Sequence, residues 1–363
     1  MAARSETLSR IGRALMISSA LAVVAACGAA TVTPVPPALS PEVTALSLAA
    51  SSVPSCACTF GASAAATTAA SAALATAKPG GSGTVLAWGD DSHGQTDVPA
   101  GLTGVVAVSA GDEFSMALKS DGTVVAWGAK DADVGETHPP ATVKDVKAIS
   151  AGGTFAIALK SDGTVVGWGD NTYGQAAPPS GLKDVVEISA AGAHSLALKS
   201  DGTVVAWGGD SNGETDVPAG LKNVAHVSAG YDYSLALLKD GTVVAWGDKF
   251  PTDVATGVTK VPAGLGGVAT VYAGYYHNLV IKSDGSVAGW GTNQDGETKI
   301  PSGLHAVAIA AGGNFSLALK SDGTVVAWGG NDSGQTTLPS GLSNVIAIDA
   351  GGSHALAVVS SGS

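Results

Sequence analysis

Apolar residues alternate with small or polar ones through most of this 363-residue chain, in runs short enough to be read as strands. The stretch from Val186 shows the parts. "VEISAAG" alternates, "HSLALKS" alternates again after a short turn, and "TVVAWG" is a β-branched run, so three successive strands are predicted. The "SDG" between the second and third (Ser200 to Gly202) predicts an Asp-Gly hairpin turn, which recurs at Asp121, Asp162, Asp240, Asp284 and Asp322. After the tryptophan comes an Asn/Asp/Gly loop, then an extended "TDVPAGL" that leads into the next unit.

The unit repeats in phase. Every tryptophan occupies the same place in it: Trp88, Trp127, Trp168, Trp207, Trp246, Trp290 and Trp328, separated by 39, 41, 39, 39, 44 and 38 residues. A three-stranded sheet with two apolar faces cannot stand alone, but packing against copies of itself buries both. The two ends decide between a ring and an open stack. The first copy has only its third strand, "TVLAWG" (Thr84 to Gly89), and the last only its first two, "VIAIDAG" and "HALAVVS" (His354 to Ser360). Together they make one complete blade. The expected fold is therefore all-β, a seven-bladed β-propeller with three-stranded blades of about 40 residues over residues 83–363. Its ring closes by pairing the N-terminal strand with the C-terminal strands.

Composition narrows the function. All three arginines (Arg4, Arg10, Arg13) lie at the start, and beyond them 15 lysines face 29 aspartates and glutamates. Such a surface repels phosphate backbones, which excludes nucleic acid as a partner. The arginines precede an apolar run, "ALMISSALAVVAA" (Ala14 to Ala26), too short to span a bilayer. Residues 1–26 read as a signal peptide. "VAAC" resembles the lipobox of bacterial lipoproteins, which implies lipidation of Cys27 and anchoring at the surface of the cell membrane or outer membrane. Gly28 after the cysteine favours the outer membrane where a cell has one. Residues 27–82 continue as an Ala/Ser/Thr/Pro-rich flexible tether. Cys56 and Cys58 inside it are only half a metal site, and no role is assigned to them.

"HSLALKSDGTVVAWGGDSNGETDVPAGL" (His194 to Leu221) resembles the short bacterial version of the regulator of chromosome condensation repeat, which forms seven-bladed propellers. Within that family the units are similar to those of the exported propeller-type β-lactamase inhibitory protein. That resemblance implies contacts made by an aromatic residue just before the second strand of most blades. The matching positions are Glu113, Thr154, Ala193, Asp232, Tyr276, Asn314 and Ser353, and only Tyr276 is aromatic. The acidic charge and the export signal do not suit the chromatin and GTPase roles of the eukaryotic founder.

Strand direction assigns the faces. With the first strand rising, the loop between strands one and two and the loop after each tryptophan share one face, and the "SDG" hairpins lie on the other. Tyr231, Asp232, Phe250, Tyr275 and Tyr276 come from two adjacent blades on the loop face, next to the longest post-tryptophan loop, and Tyr173 is contributed by another such loop. Aromatics clustered on an otherwise small and acidic face read as a protein-binding patch. An extended loop that folds down on its own rings is the alternative. Phe114, Phe155, His194, Tyr233, His277, Phe315 and His354 begin the second strands, in phase with apolar positions, and are expected to pack between blades.

No enzyme motif is found, and no cofactor is implied. The loops "GDNTYGQ" (Gly169 to Gln175) and "GGDSNGET" (Gly208 to Thr215) are oxygen-rich, but they lack the calcium-loop ligand spacing and are explained by Asx turns. The expected function is a non-enzymatic, monomeric propeller that binds a protein partner, a β-lactamase or an envelope protein among the candidates. A β-lactamase inhibitor is the first alternative, and a carbohydrate-binding or glycan-active propeller the second.

Overall fold

The computed structural model describes residues 81–249 and 256–360, all within the second of two compact units, Ala65–Ser363. Those residues form seven three-stranded antiparallel blades. Inner, middle and outer strands are Val105–Ala110, Phe114–Lys119 and Val124–Gly128 in blade 1, and Val146–Ala151, Phe155–Lys160 and Val165–Gly169 in blade 2. Blade 3 comprises Val185–Ala191, His194–Lys199 and Val204–Gly208, and blade 4 Val224–Ala229, Tyr233–Leu238 and Val243–Gly247. Blade 5 comprises Val268–Ala273, His277–Lys282 and Val287–Gly291, and blade 6 Ala308–Ala311, Phe315–Leu319 and Val325–Gly329. Blade 7 takes Val345–Ala350 and His354–Ser360 from the end of the chain and its outer strand, Gly83–Gly89, from far upstream. That strand pairs with its neighbour over its whole length, from Gly83 opposite Ser360 to Gly89 opposite His354. The ring closes as expected.

Burial follows position within the blade. Middle strands lie between two strands of their own sheet and between two neighbouring blades, and they are buried at nearly every residue, which is why they read as unbroken apolar and small. Phe114, Phe155, His194, Tyr233, His277, Phe315 and His354 are all fully buried, as expected. Outer strands bury their tryptophan. Each indole N–H donates to a backbone carbonyl in the loop of the preceding blade, at 2.8–3.0 Å: Trp127 to Gln95, Trp168 to Glu136, Trp207 to Gln175, Trp246 to Glu214, Trp290 to Val258, Trp328 to Glu297 and Trp88 to Gln335. One bond, made seven times, fixes each blade to the one before it.

The hairpin turn differs in detail from the sequence reading. Gly122 N–H donates to Lys119 O, Lys119 N–H donates to Thr123 O, and only Gly122 adopts positive φ (80°), not Asp121. This is a three-residue Ser-Asp-Gly loop closed by a glycine bulge instead of a two-residue Asp-Gly turn. The aspartate contributes through its side chain. Its Oδ1 accepts from the Thr123 N–H at 3.0 Å and the Thr123 hydroxyl at 2.6 Å, which stiffens the turn.

Candidate protein-binding face

The loops between inner and middle strands meet around the propeller axis and form the rim of its mouth. Seven residues occupy equivalent rim positions: Asp112, Gly153, Gly192, Tyr231, Tyr275, Gly313 and Gly352. Backbone bonds run from blade to blade along this rim, among them Asp112 N–H to Gly153 O, Gly153 N–H to Gly192 O, Tyr275 N–H to Gly312 O and Gly352 N–H to Gly111 O. The approach is so close that a Cβ on Gly313 would sit 2.4 Å from Gly352 O, and one on Gly192 2.1 Å from Tyr231 O. Four blades place glycine there, where a side chain would collide with the next blade. Blades 4 and 5 place tyrosines and blade 1 an aspartate.

Those tyrosines converge as the sequence suggested. The Tyr231 ring lies 4.9 Å from that of Tyr275 and 5.9 Å from that of Tyr276, both tilted, at separations typical of attractive aromatic pairs. Tyr231 and Tyr276 are half-buried, each with part of the ring open to the loop face. Tyr275 has a different role. Its hydroxyl donates to the Asp112 carboxylate of blade 1, 163 residues away, so the side chain spans the mouth of the ring. Burial pushes the Asp112 carboxyl up to about 6, with the Tyr275 bond opposing the rise. Asp232 is also raised to about 6, first by burial and then by the charge of Glu214, while hydrogen bonds from Asn212 and Tyr276 pull it back. Burial lifts the Tyr231 phenol to about 12, and those of Tyr275 and Tyr276 also rise, so all three are neutral donors at physiological pH.

The remaining candidates are placed differently. Tyr173 is exposed on the post-tryptophan loop of blade 2, two blades away from Tyr231, and does not join the cluster. Phe250 and Cys27 lie outside the described residues. In the Gly169–Gln175 loop the Asp170 Oδ1 accepts from Thr172 N–H at 2.9 Å and the Asn171 Oδ1 from Ala176 N–H at 3.0 Å, so these oxygens already serve the loop's own backbone.

Beneath the mouth, Ser109 accepts from Ala151 N–H, Ser150 from Ala190 N–H, Ser189 from Ala229 N–H and Ser228 from Ala273 N–H, at 2.9–3.0 Å, each handing a bond to the next blade. Asp349 holds this position in blade 7, accepting from Ala110 N–H at 2.9 Å, and burial raises its carboxyl to about 7. The axial cavity that these residues line measures about 70 Å³. That is room for a few waters, far below the several hundred Å³ of a typical small-molecule site. Asp112, Asp349 and the buried Glu187–His226 pair were missed in the sequence. Comparing equivalent positions across repeats exposes them: Asp349 stands among serines, and Glu187 and His226 stand where blades 1, 2, 6 and 7 carry Ala107, Ala148, Ala308 and Ala347.

Six units, residues 105–131, 146–175, 185–214, 224–248, 268–297 and 306–335, match the model of the regulator of chromosome condensation (RCC1) repeat. Six of the seven blades are RCC1 repeats. The seventh blade escapes a linear match because it is assembled from both ends of the propeller. Among solved structures, the RCC1-repeat propeller is similar to Prp20p of Saccharomyces cerevisiae, described together with its binding to Gsp1p and histones. The TM-score is 0.65 at 16% identity, covering 79% of this chain and 93% of that one. Human WBSCR16 aligns with a TM-score of 0.61 at 18% identity over 76% of this chain and 100% of its own. The ectodomain of the Physcomitrella patens receptor kinase CR4 gives 0.55 at 22% identity, covering 67% and 68%. At these identities the likeness is one of fold. No curated protein matches the sequence at a significant level.

Proposed function

We propose that the RCC1-repeat propeller is a binding module, held at the cell envelope by a lipid on Cys27, that engages a partner protein through its loop face. The observation that carries this reading is the convergence of Tyr231, at a rim position that four blades fill with glycine, with Tyr276 of the next blade. Aromatic side chains partly open on a rigid surface are the residues from which interfaces draw most of their affinity. The interlocked blades support it as well, because a preformed surface loses little entropy on binding. The outer strand of blade 7 begins at Gly83 beside Ser360, on the hairpin face.

Crosslinking in cells that make the protein tests the reading. The partner captured by wild type is lost from a Tyr231→Ala/Tyr276→Ala variant and kept by Asp121→Asn/Asp201→Asn, which alters only the hairpin face. Equal capture by all three proteins overturns it. Palmitate labelling of wild type and its absence in Cys27→Ser test the anchor. Inhibition of a β-lactamase is the second reading, favoured by Tyr276 at the implied contact position, and inhibition assays against a panel of these enzymes decide it.

A further inference from the structure

The charge of this propeller is divided between its faces. On the hairpin face, lysines and aspartates alternate and pair: Lys119 with Asp121, Lys160 with Asp162, Lys199 with Asp201 and Lys320 with Asp322. On the loop face the post-tryptophan loops expose Asp91, Asp131, Asp210, Asp295 and Asp332. Among the described residues between each tryptophan and the loop carbonyl that binds the next one, the only lysines are Lys130 and Lys249, and each is bound to an aspartate, Asp97 and Asp216. Lys260 and Lys299, just beyond these loops, leave carboxylates in excess. The loop face therefore carries a net negative potential, which attracts and orients a cationic partner.

Four departures from the repeat share one sector of that face, while Asp112, Ala310 and Asp349 lie outside it. In a repeat scaffold the shared residue at each position records what the ring needs, and departures record something else. Tyr231 and Tyr275 replace rim glycine, and Tyr272 replaces an axial serine. Val258 takes the place of the Gln or Glu that, in the other six blades, accepts a bond from the backbone N–H two residues earlier, as Gln95 does from His93 and Glu297 from Asp295. All four changes lie in blades 4 and 5 or the loop joining them. The same sector holds Asp232, a partly buried carboxyl next to the Tyr276 hydroxyl with no lysine bound to it.

We infer that this sector receives a lysine or arginine side chain from a basic segment of the partner protein, seated on the Tyr231 and Tyr276 rings against the Asp232 carboxylate. The inference rests on the loop-face reading above and names the partner's chemistry. A cation over a tyrosine face is stabilised by the ring quadrupole, and more so where water is partly excluded. The carboxylate supplies the opposite charge at the same place. A neutral or acidic partner would leave the Asp232 carboxylate without an opposite charge beside its hydrogen bonds from Asn212 and Tyr276.

Isothermal titration of the full chain with a hexa-arginine peptide and with hexaglutamate tests this. Hexa-arginine binds saturably and hexaglutamate does not. Asp232→Asn, an isosteric change, weakens the arginine peptide about tenfold, as does Tyr231→Ala/Tyr276→Ala. Asp332→Asn, elsewhere on the same face, changes it less than twofold. Equal losses from Asp232→Asn and Asp332→Asn mean diffuse attraction and overturn the inference. So does the absence of any arginine-peptide binding while the crosslinked partner is still captured through the tyrosines, a result that leaves the loop-face reading intact. Thermal unfolding of each variant confirms that the fold is retained.

Discussion

Trp88 and Gln335 are 247 residues apart in the chain, yet the indole N–H of the first donates to the carbonyl of the second at 2.9 Å. The same bond joins Trp207 to Gln175 within the body of the ring. If the strand from Gly83 to Gly89 is a full member of the propeller, Trp88→Ala destabilises it as much as Trp207→Ala does, by about 3–5 kcal/mol. Urea denaturation of the two variants checks this, and a negligible effect at Trp88 would remove the closure.

Glu187 and His226 form a buried ion pair at 2.7 Å between blades 3 and 4, with His226 Nε2–H donating to Val271 O of blade 5. Removing one partner strands the other, so Glu187→Ala alone is expected to cost about 3–5 kcal/mol. The double change Glu187→Ala/His226→Ala restores the alanines of the sister blades and recovers most of that loss. The pair raises the His226 imidazole above its ordinary 6.5 despite burial. Its contribution is therefore complete below the unfolded value of 6.5 and disappears as pH rises through the folded one. A double-mutant cycle at pH 6 and pH 9 reads both effects, and a coupling energy that does not shrink at pH 9 contradicts the assignment.

His194, His277 and His354 behave in the opposite way. The Ser115 hydroxyl donates to Gln95 O at 2.8 Å and meets His354 Nε2 at 2.9 Å, so that nitrogen carries the proton and donates, leaving Nδ1 buried without a partner. Burial holds each of the three imidazoles near 4 in the fold. Between 4 and 6.5 the unfolded chain binds more protons, so stability falls with pH, by about 3 kcal/mol per histidine on reaching pH 4. Replacing all three by phenylalanine, the residue of blades 1, 2 and 6, flattens the pH dependence over that interval. Parallel pH curves for wild type and variant would show that these imidazoles do not carry the acid sensitivity.

Tyr275→Phe keeps the ring over the mouth and removes the donor to Asp112. The carboxylate is then buried without its partner, at an expected cost of about 1–3 kcal/mol. Asp112 is charged at pH 8 and largely neutral at pH 5, given its raised value of about 6. The variant therefore loses more stability at pH 8 than at pH 5, a difference visible in chemical denaturation. Equal losses at both values would mean that the hydroxyl bond contributes nothing.

The architecture was legible because it is repeated. Seven tryptophans in phase, alternation with period two and two half-blades at the ends lead to the ring without knowledge of any contact. The tyrosine cluster was legible in outline, since adjacent blades place Tyr231 and Tyr276 together. The role of Tyr275 was not. Its partner Asp112 sits in a blade that is not adjacent, and periodicity places residues within a blade and its neighbours but says nothing about side chains that reach across the axis. The Ser-Asp-Gly turn differs in type from its sequence reading because the same three letters serve two hairpin geometries, distinguished only by the sign of φ at Asp121.

Of the propeller's strands, the one that completes the ring is made first and its partner, His354 to Ser360, last. A chain that emerges from the ribosome or the export channel from its N-terminus must carry Gly83–Gly89 unpaired until all six other blades have formed, with Trp88 waiting for a loop more than two hundred residues downstream. Protection of the Trp88 amide in pulse-labelled chains should thus arise only once His354 to Ser360 has been made, so that the seal on the first strand doubles as a check that every blade of the propeller is present.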